Sequence, residues 1–321
     1  MGHQGGTVLQ KDQAVTIKVK RRSAIIKKVV RNYDLYLLFL PTLVYFLVFH
    51  YYPMYGVQIA FKNFNPIQGI MGSSWAGFEH FERFFNSYQF WAVLKNTFGL
   101  AVFELAMFPI PIIMALLLNQ LVSSRFKRIV QTVTYAPHFI SVVVLVGMLY
   151  LFLSPRNGII NQFIILLGGE PIFFFGIPEW FKSLFVFSGV WQNLGWGMII
   201  YLAALTAVSP DLHEAAVVDG ASKLKRIWHV DLPSILPTIS IMFILNIGNL
   251  MGVGFEKVYL MQNSLNISSS EVIQTYVYKT GLLGAQYSYA AAVGLFNSVI
   301  NFVFLITFNK LAKKAGQSSL W

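Results

Sequence analysis

Ser209-Pro210-Asp211-Leu212-His213-Glu214-Ala215-Ala216-Val217-Val218-Asp219-Gly220-Ala221-Ser222-Lys223-Leu224-Lys225-Arg226-Ile227-Trp228-His229-Val230-Asp231-Leu232-Pro233-Ser234-Ile235-Leu236-Pro237 is the longest polar-leaning break in the second half of a very apolar chain. Local chemistry divides it into two short helices. Ser209 is a good N-cap, and Pro210 suits the first helical position, where no N–H is required. Asp211 and Glu214 place negative charge where the helix dipole favours it. Gly220 ends the first helix in a left-handed turn. Ser222 caps a second segment, Lys223 to Val230, and Pro233 and Pro237 mark its end.

Outside this stretch the sequence is written for lipid. Of 321 residues, 56% are hydrophobic and 12% are charged. A soluble domain carries about twice that charged fraction. Cys is absent, which excludes disulfides and thiolate metal sites. Six apolar stretches, roughly 35–58, 94–119, 130–153, 182–207, 236–260 and 288–310, are each long enough to cross a bilayer, which takes about 20 residues. The fold class expected is therefore an all-α polytopic membrane protein with about six transmembrane helices. The apolar run after the basic N-terminus is too long for a signal peptide and lacks a small-residue cleavage site. The segment 61–90, rich in Phe and Trp, reads as a helix along the membrane surface. Ser268-Ser269-Ser270-Glu271 reads as an N-cap.

Charge orients the chain. With the N-terminus inside, cytoplasmic segments hold Lys11, Lys18, Lys20, Arg21, Arg22, Lys27, Lys28, Arg31, Arg125, Lys127, Arg128, Lys223, Lys225, Arg226, Lys310, Lys313 and Lys314. Only Lys62, Arg83, Lys95, Arg156, Lys182, Lys257 and Lys279 fall elsewhere. Basic residues collect on the cytoplasmic side of membrane proteins, so both termini are expected inside. The net charge of +11 then reflects orientation in the membrane, not affinity for nucleic acid. The domains expected are a basic tail, 1–34, a transmembrane domain, 35–312, and a C-terminal tail, 313–321.

The spacing Glu214-Ala215-Ala216, Asp219-Gly220-Ala221 and Leu232-Pro233 resembles the EAA motif of binding-protein-dependent ABC importer permeases. Ile227 departs from it, since many members carry Phe there. Residues 51–65, Pro137-His138-Phe139-Ile140-Ser141, Gly254 to Leu260 and Thr275 to Phe296 are similar to the polysaccharide branch of MalF-like permeases, which includes LplB-like proteins. The resemblance covers about residues 30–315. It implies the type I ABC importer transmembrane-domain fold and a permease subunit passing an oligosaccharide, including a uronate-bearing fragment, into the cytoplasm. It also implies a second homologous permease, two ATPase subunits and an extracytoplasmic solute-binding protein. ATP and Mg belong to the ATPase subunits, with no cofactor bound by this chain and no catalytic residues. Glu214, Ala215, Ala216, Asp219, Gly220, Ala221, Leu232 and Pro233 become the ATPase-coupling residues.

The sequence itself contains no Gly-Lys dipeptide, which excludes a Walker A phosphate loop. No His, Asp or Glu cluster has metal-ligand spacing. A pathway must be built from polar residues within apolar spans, which are costly in lipid and face the protein interior. Gln192, Asn193, Trp196, Asn246, Asn249, Asn297 and Asn301 fit sugar hydroxyls and ring faces. They fit interhelical hydrogen bonding equally well. Glu104, a lone carboxylate in an apolar span, is the best feature of the alternative, an ion-coupled secondary transporter.

The orientation is testable because the native chain has no Cys. Cys introduced at Ser123 or Ser222 should be labelled only from the cytoplasmic side, and Cys at Ser73 or Ser269 only from outside. Reversed labelling would overturn the charge argument.

Overall fold

The computed structural model describes residues 31–320, so residues 1–30 of the expected basic tail lie outside the described residues. Contacts divide the chain after Gln58. In the first unit, α1 (Tyr33–Phe46) continues through a π turn, Leu47–Tyr51, to Met54. Its sequence is apolar on every face, the pattern of a helix solvated by lipid.

The second unit opens with a short antiparallel hairpin that pairs Lys62 with Trp75 and Asn63 with Ser74. It replaces much of the expected surface helix. Gly69 and Gly77, both at positive φ, turn the chain there. The helical remainder is Gly69–Gly72 and α2 (Glu79–Phe85). The bundle then runs α3 (Phe90–Ala106), α4 (Pro109–Asn119), α5 (Ser124–Tyr135), α6 (Val142–Phe152), α7 (Ile159–Leu166) and α8 (Pro178–Thr206). It continues with α9 (Pro210–Val218), α10 (Lys223–Arg226), α11 (Leu232–Gly248), α12 (Phe255–Met261), α13 (Ile273–Val277) and α14 (Tyr287–Lys314).

Among the described residues, four helical runs are long and apolar enough to cross a membrane: Tyr33–Phe61, Phe90–Asn119, Lys223–Gly248 and Tyr287–Lys314. Two more qualify as bent pairs, Ser124–Phe139 with Val142–Phe152 at 100° and Pro178–Thr206 with Pro210–Val218 at 75°. The total is six when each pair is one span.

Four more expectations need correction. The stretch 130–153 is not one straight helix. It breaks at a 3-10 turn, Ala136–Phe139, where Pro137 supplies no N–H. Ser141 then caps α6, its hydroxyl accepting from the Val144 N–H at 3.3 Å. The stretch 236–260 is also broken: α11 stops at Gly248, and α12 begins only at Phe255. Finally, Pro233 and Pro237 do not end a helix. Lys223–Gly248 runs on through a π turn, Ile227–Asp231, where the Leu232 N–H bonds to the Ile227 carbonyl. Pro233 lies in the first α turn after it and Pro237 inside the helix that follows. The supposed cap at Ser268–Glu271 is likewise a short helical turn, Ile267–Ser270, with Glu271 paired to Lys279 at 3.0 Å.

Three apolar clusters hold the second unit together. One joins Leu100, Val146, Phe181, Val186, Val258 and Met261. A second joins Ile112, Leu116, Met198, Leu205 and Ile235. A third joins Phe84, Val93, Met251, Ile273 and Val293. The residue that departs from the EAA pattern, Ile227, packs against the second. The end of α5 crosses α8 at Gly195, where a Cβ would lie 2.2 Å from the Thr134 carbonyl oxygen. Only glycine allows that approach. The C-terminal tail folds back, its Leu320 N–H donating to Asn309 Oδ1 at 2.8 Å.

The structure also refines the labelling experiment. Ser73 is buried, its hydroxyl donating to the Gly69 carbonyl at 2.6 Å. The outer probe belongs at Ile67, which is 95% exposed, and label from outside is expected there.

Candidate functional site

Two cavities among the described residues bear on function, one within the bundle and one beside the segment 209–237. The first has a volume of about 510 Å³ and lies among α3, α4, α8 and α11. Its walls carry Glu104, Asn193, Tyr201, Asn246 and Asn249, set among Leu, Met, Phe and Val. Three of the seven expected pathway residues therefore meet here. Among the described residues Asn246 has only its own helix as a partner, donating to the Met242 carbonyl at 2.8 Å. Asn193 donates to the Gly189 carbonyl at 3.1 Å, and its Oδ1 lies 3.1 Å from His138 Nδ1. Asn249 sits at the C-terminal end of α11, just outside the helix. Its amide occupies space that a Cβ on Gly252 would fill.

The other four are placed differently. Gln192 is buried and donates to the Ile140 carbonyl at 2.7 Å, across the break between α5 and α6. Asn301 accepts from the Met251 N–H at 2.9 Å, across the break after α11. Both amides tie broken helices together. Asn297 Oδ1 is buried with no hydrogen-bond partner among the described residues. Trp196 does not line the cavity. It is half exposed and stacks on His138, with ring centroids 4.5 Å apart and planes at 6°.

The second cavity, about 480 Å³, lies beside α9 and is lined in part by Asn119, Gln120, His213, Glu214, Lys223 and Arg226. Here local sequence chemistry determines the backbone. The Ser209 hydroxyl accepts from the Asp211 N–H at 3.3 Å, and Pro210 opens α9. At the other end, Gly220 takes φ +74°. The Gly220 N–H bonds to the Val217 carbonyl at 3.0 Å and the Ala221 N–H to the Ala216 carbonyl at 2.8 Å. This is a Schellman closure, which satisfies carbonyls the helix end would leave bare. Ser222 then caps α10, accepting from the Lys225 N–H at 3.4 Å. Glu214, Ala215, Asp219 and Gly220 are exposed, while Ala216, Ala221 and Leu232 are partly covered and Pro233 is exposed.

A buried carboxylate with no motif to announce it completes this region. Asp231 is fully buried. It accepts from Gln120 Nε2 at 2.7 Å and pairs with His213 Nε2 at 3.2 Å. Its signal was a carboxylate in the polar stretch whose partners are distant in sequence. Among the described residues no group of three or more His, Asp or Glu could hold a metal ion.

Comparison with known proteins bears on what these sites serve. The family described as "Binding-protein-dependent transport system inner membrane component" matches residues 107–316. The chain is 43% identical to the polygalacturonan/rhamnogalacturonan transport system permease protein YteP of Bacillus subtilis, over 96% of each chain. It is 42% identical to protein LplB of the same organism, over 98% of this chain and 99% of that one. A chain in the crystal structure of a bacterial alginate ABC transporter, in complex with an alginate pentasaccharide-bound periplasmic protein, superposes with a TM-score of 0.84. That chain is 37% identical, with 92% of this chain and 99% of that chain covered.

The two kinds of amide separate by experiment. Asn301→Leu removes the acceptor for a backbone N–H at a helix break, a loss of about 1–2 kcal/mol. Thermal unfolding in detergent should shift down for Asn301→Leu and stay near wild type for Asn246→Leu. Equal shifts would mean that both amides are structural.

Proposed function

Because this chain belongs to the family of binding-protein-dependent transport system inner membrane components, a multi-pass family of ABC permease subunits, we propose that it passes an acidic oligosaccharide from an extracytoplasmic binding protein to the cytoplasm. A second permease completes the pathway, and two ATPase subunits bind ATP and Mg and hydrolyse the nucleotide. This chain carries no catalysis. Both termini are cytoplasmic in this arrangement, and the loop 209–237 faces the ATPase.

One observation carries the proposal: a cavity within an apolar bundle whose walls present Asn193, Asn246, Asn249 and Tyr201. Amides and a phenol offer both donors and acceptors, and the surrounding apolar and aromatic surface suits sugar ring faces. Substrate class follows the relatives, which are named for polygalacturonan, rhamnogalacturonan and alginate. Family membership removes the ground for the ion-coupled alternative, and Glu104 becomes a wall residue of the sugar cavity.

Coupling is proposed to run through α9. Glu214 is exposed there, available to a cationic ATPase side chain. Ala215 and Ala216 permit close approach, and Asp219, Gly220 and Ala221 form the turn. Leu232 and Pro233 follow the π turn on the helical run Lys223–Gly248, which enters the membrane in this arrangement.

Gly220→Val tests this. Nothing lies within 4 Å of a Cβ at Gly220, so the substitution acts through the backbone alone. A β-branched residue in the left-handed region costs about 1–2 kcal/mol. In the complex co-purified with its ATPase, substrate-stimulated ATP hydrolysis and sugar uptake should fall together, roughly 5- to 30-fold. Membrane insertion and yield should persist. Wild-type transport from a normally assembled Gly220→Val complex would refute the coupling role, and failure of any ATPase to co-purify would refute the assembly.

A further inference from the structure

We propose that His213 and Asp231 are positioning residues that clamp the helix Pro210–Val218 at a fixed angle to the cytoplasmic end of the bundle. The proposal rests on the coupling role given to that helix. It addresses a mechanical problem that the fold leaves open. A helix that receives force from a partner must be held firmly, yet α9 buries none of its residues. Apolar burial of the kind that fixes α4 and α8 is therefore absent from α9. The chain also bends by 75° between α8 and α9, so α8 does not hold α9 by continuity.

The hold is polar. Asp231 is 0% exposed. A buried carboxylate is strongly unfavourable unless charges and donors compensate it. Three elements supply them. Gln120 Nε2 donates at 2.7 Å and Asn119 Nδ2 at 3.5 Å, both from the end of α4. His213 Nε2 approaches to 3.2 Å from the middle of α9. Arg226, earlier on the helical run that carries Asp231, adds positive charge nearby. One carboxylate thus joins α4, α9 and the start of α11.

The backbone is arranged to put it there. Asp231 is the last residue of the π turn Ile227–Asp231. A π turn holds one residue more than an α turn, which rotates the residues beyond it by about 100° around the helix axis. The rotation accompanies an inward-facing carboxylate at 231, while neighbouring Trp228 and His229 remain exposed. π turns of this kind are frequent at functional sites.

A side chain that only filled space would not link the angle of α9 to coupling, so both are measured. The Cys-free chain takes spin labels at Leu212 and Val122, two exposed positions on either side of the clamp. It is assembled with its permease, ATPase and binding-protein partners. The native complex should give a single narrow distance. His213→Ala removes the donor, which should broaden that distance and lower sugar transported per ATP roughly ten-fold, the scale of one charge-assisted hydrogen bond. His213→Gln retains a donor and should restore both readouts most of the way. Asp231→Asn should repeat the His213→Ala result, and the His213 pair decides the matter if that variant does not assemble. A narrow distance and wild-type coupling in His213→Ala would overturn the clamp. If Gly220→Val is uncoupled in the same assay, the clamp alone falls. If Gly220→Val is also wild type, the coupling role falls with it.

Discussion

A backbone N–H or C=O in hydrocarbon has no water to bond, and each one left unpaired is expensive. Straight helices satisfy that constraint automatically, but this bundle is full of breaks. At break after break, a side-chain amide takes the place of the missing helical bond. Gln192 serves the Ile140 carbonyl, and Asn301 serves the Met251 N–H. Gln274 reaches the Met251 carbonyl from α13. Outside the apolar spans the same device recurs, where Asn161 donates to the Leu153, Ser154 and Ile172 carbonyls and accepts from the Ile172 N–H. On the turns near α12, Asn263 and Asn266 both donate to the Phe175 carbonyl. These amides satisfy backbone groups that the breaks leave bare.

Breaks in turn make room. Straight, fully apolar helices pack without space for a sugar. The end of α11 at Gly248 places Asn249 outside the helical ladder, and the cavity opens beside it. Amides used at breaks are spoken for, whereas Asn246 bonds only within its own helix. The division between scaffold and site is therefore a division in hydrogen-bond commitments, not in residue type. At the α9 end of the bundle the same logic holds Asp231, which is met by groups from separate elements.

This explains what the sequence makes legible. Ser209, Gly220 and Ser222 act within a few residues of themselves, so their roles follow from local chemistry, and the structure places all three as caps or a left-handed turn. Apolar runs of sufficient length follow from composition. Hydropathy does not register bends, however, and the run 130–153 stays apolar straight through Pro137 and Ser141. A proline followed four residues later by a capping serine was the available clue. Pro233 and Pro237 mislead in the opposite direction, because the helix runs on through the π turn before them and includes both. Gln192 with Ile140, Asn301 with Met251 and His213 with Asp231 are partners no periodicity connects. Spacing places all seven pathway candidates in apolar spans but does not separate the two that serve breaks from the three that line the cavity.

The proposed coupling requires the segment 209–237 to meet an ATPase. Val218 is 86% exposed, next to the Schellman turn. A photo-crosslinking amino acid at that position, activated in native membranes, reports what touches it. The account predicts one dominant protein adduct, with the ATPase subunit. Adducts confined to lipid or to this chain itself would contradict it.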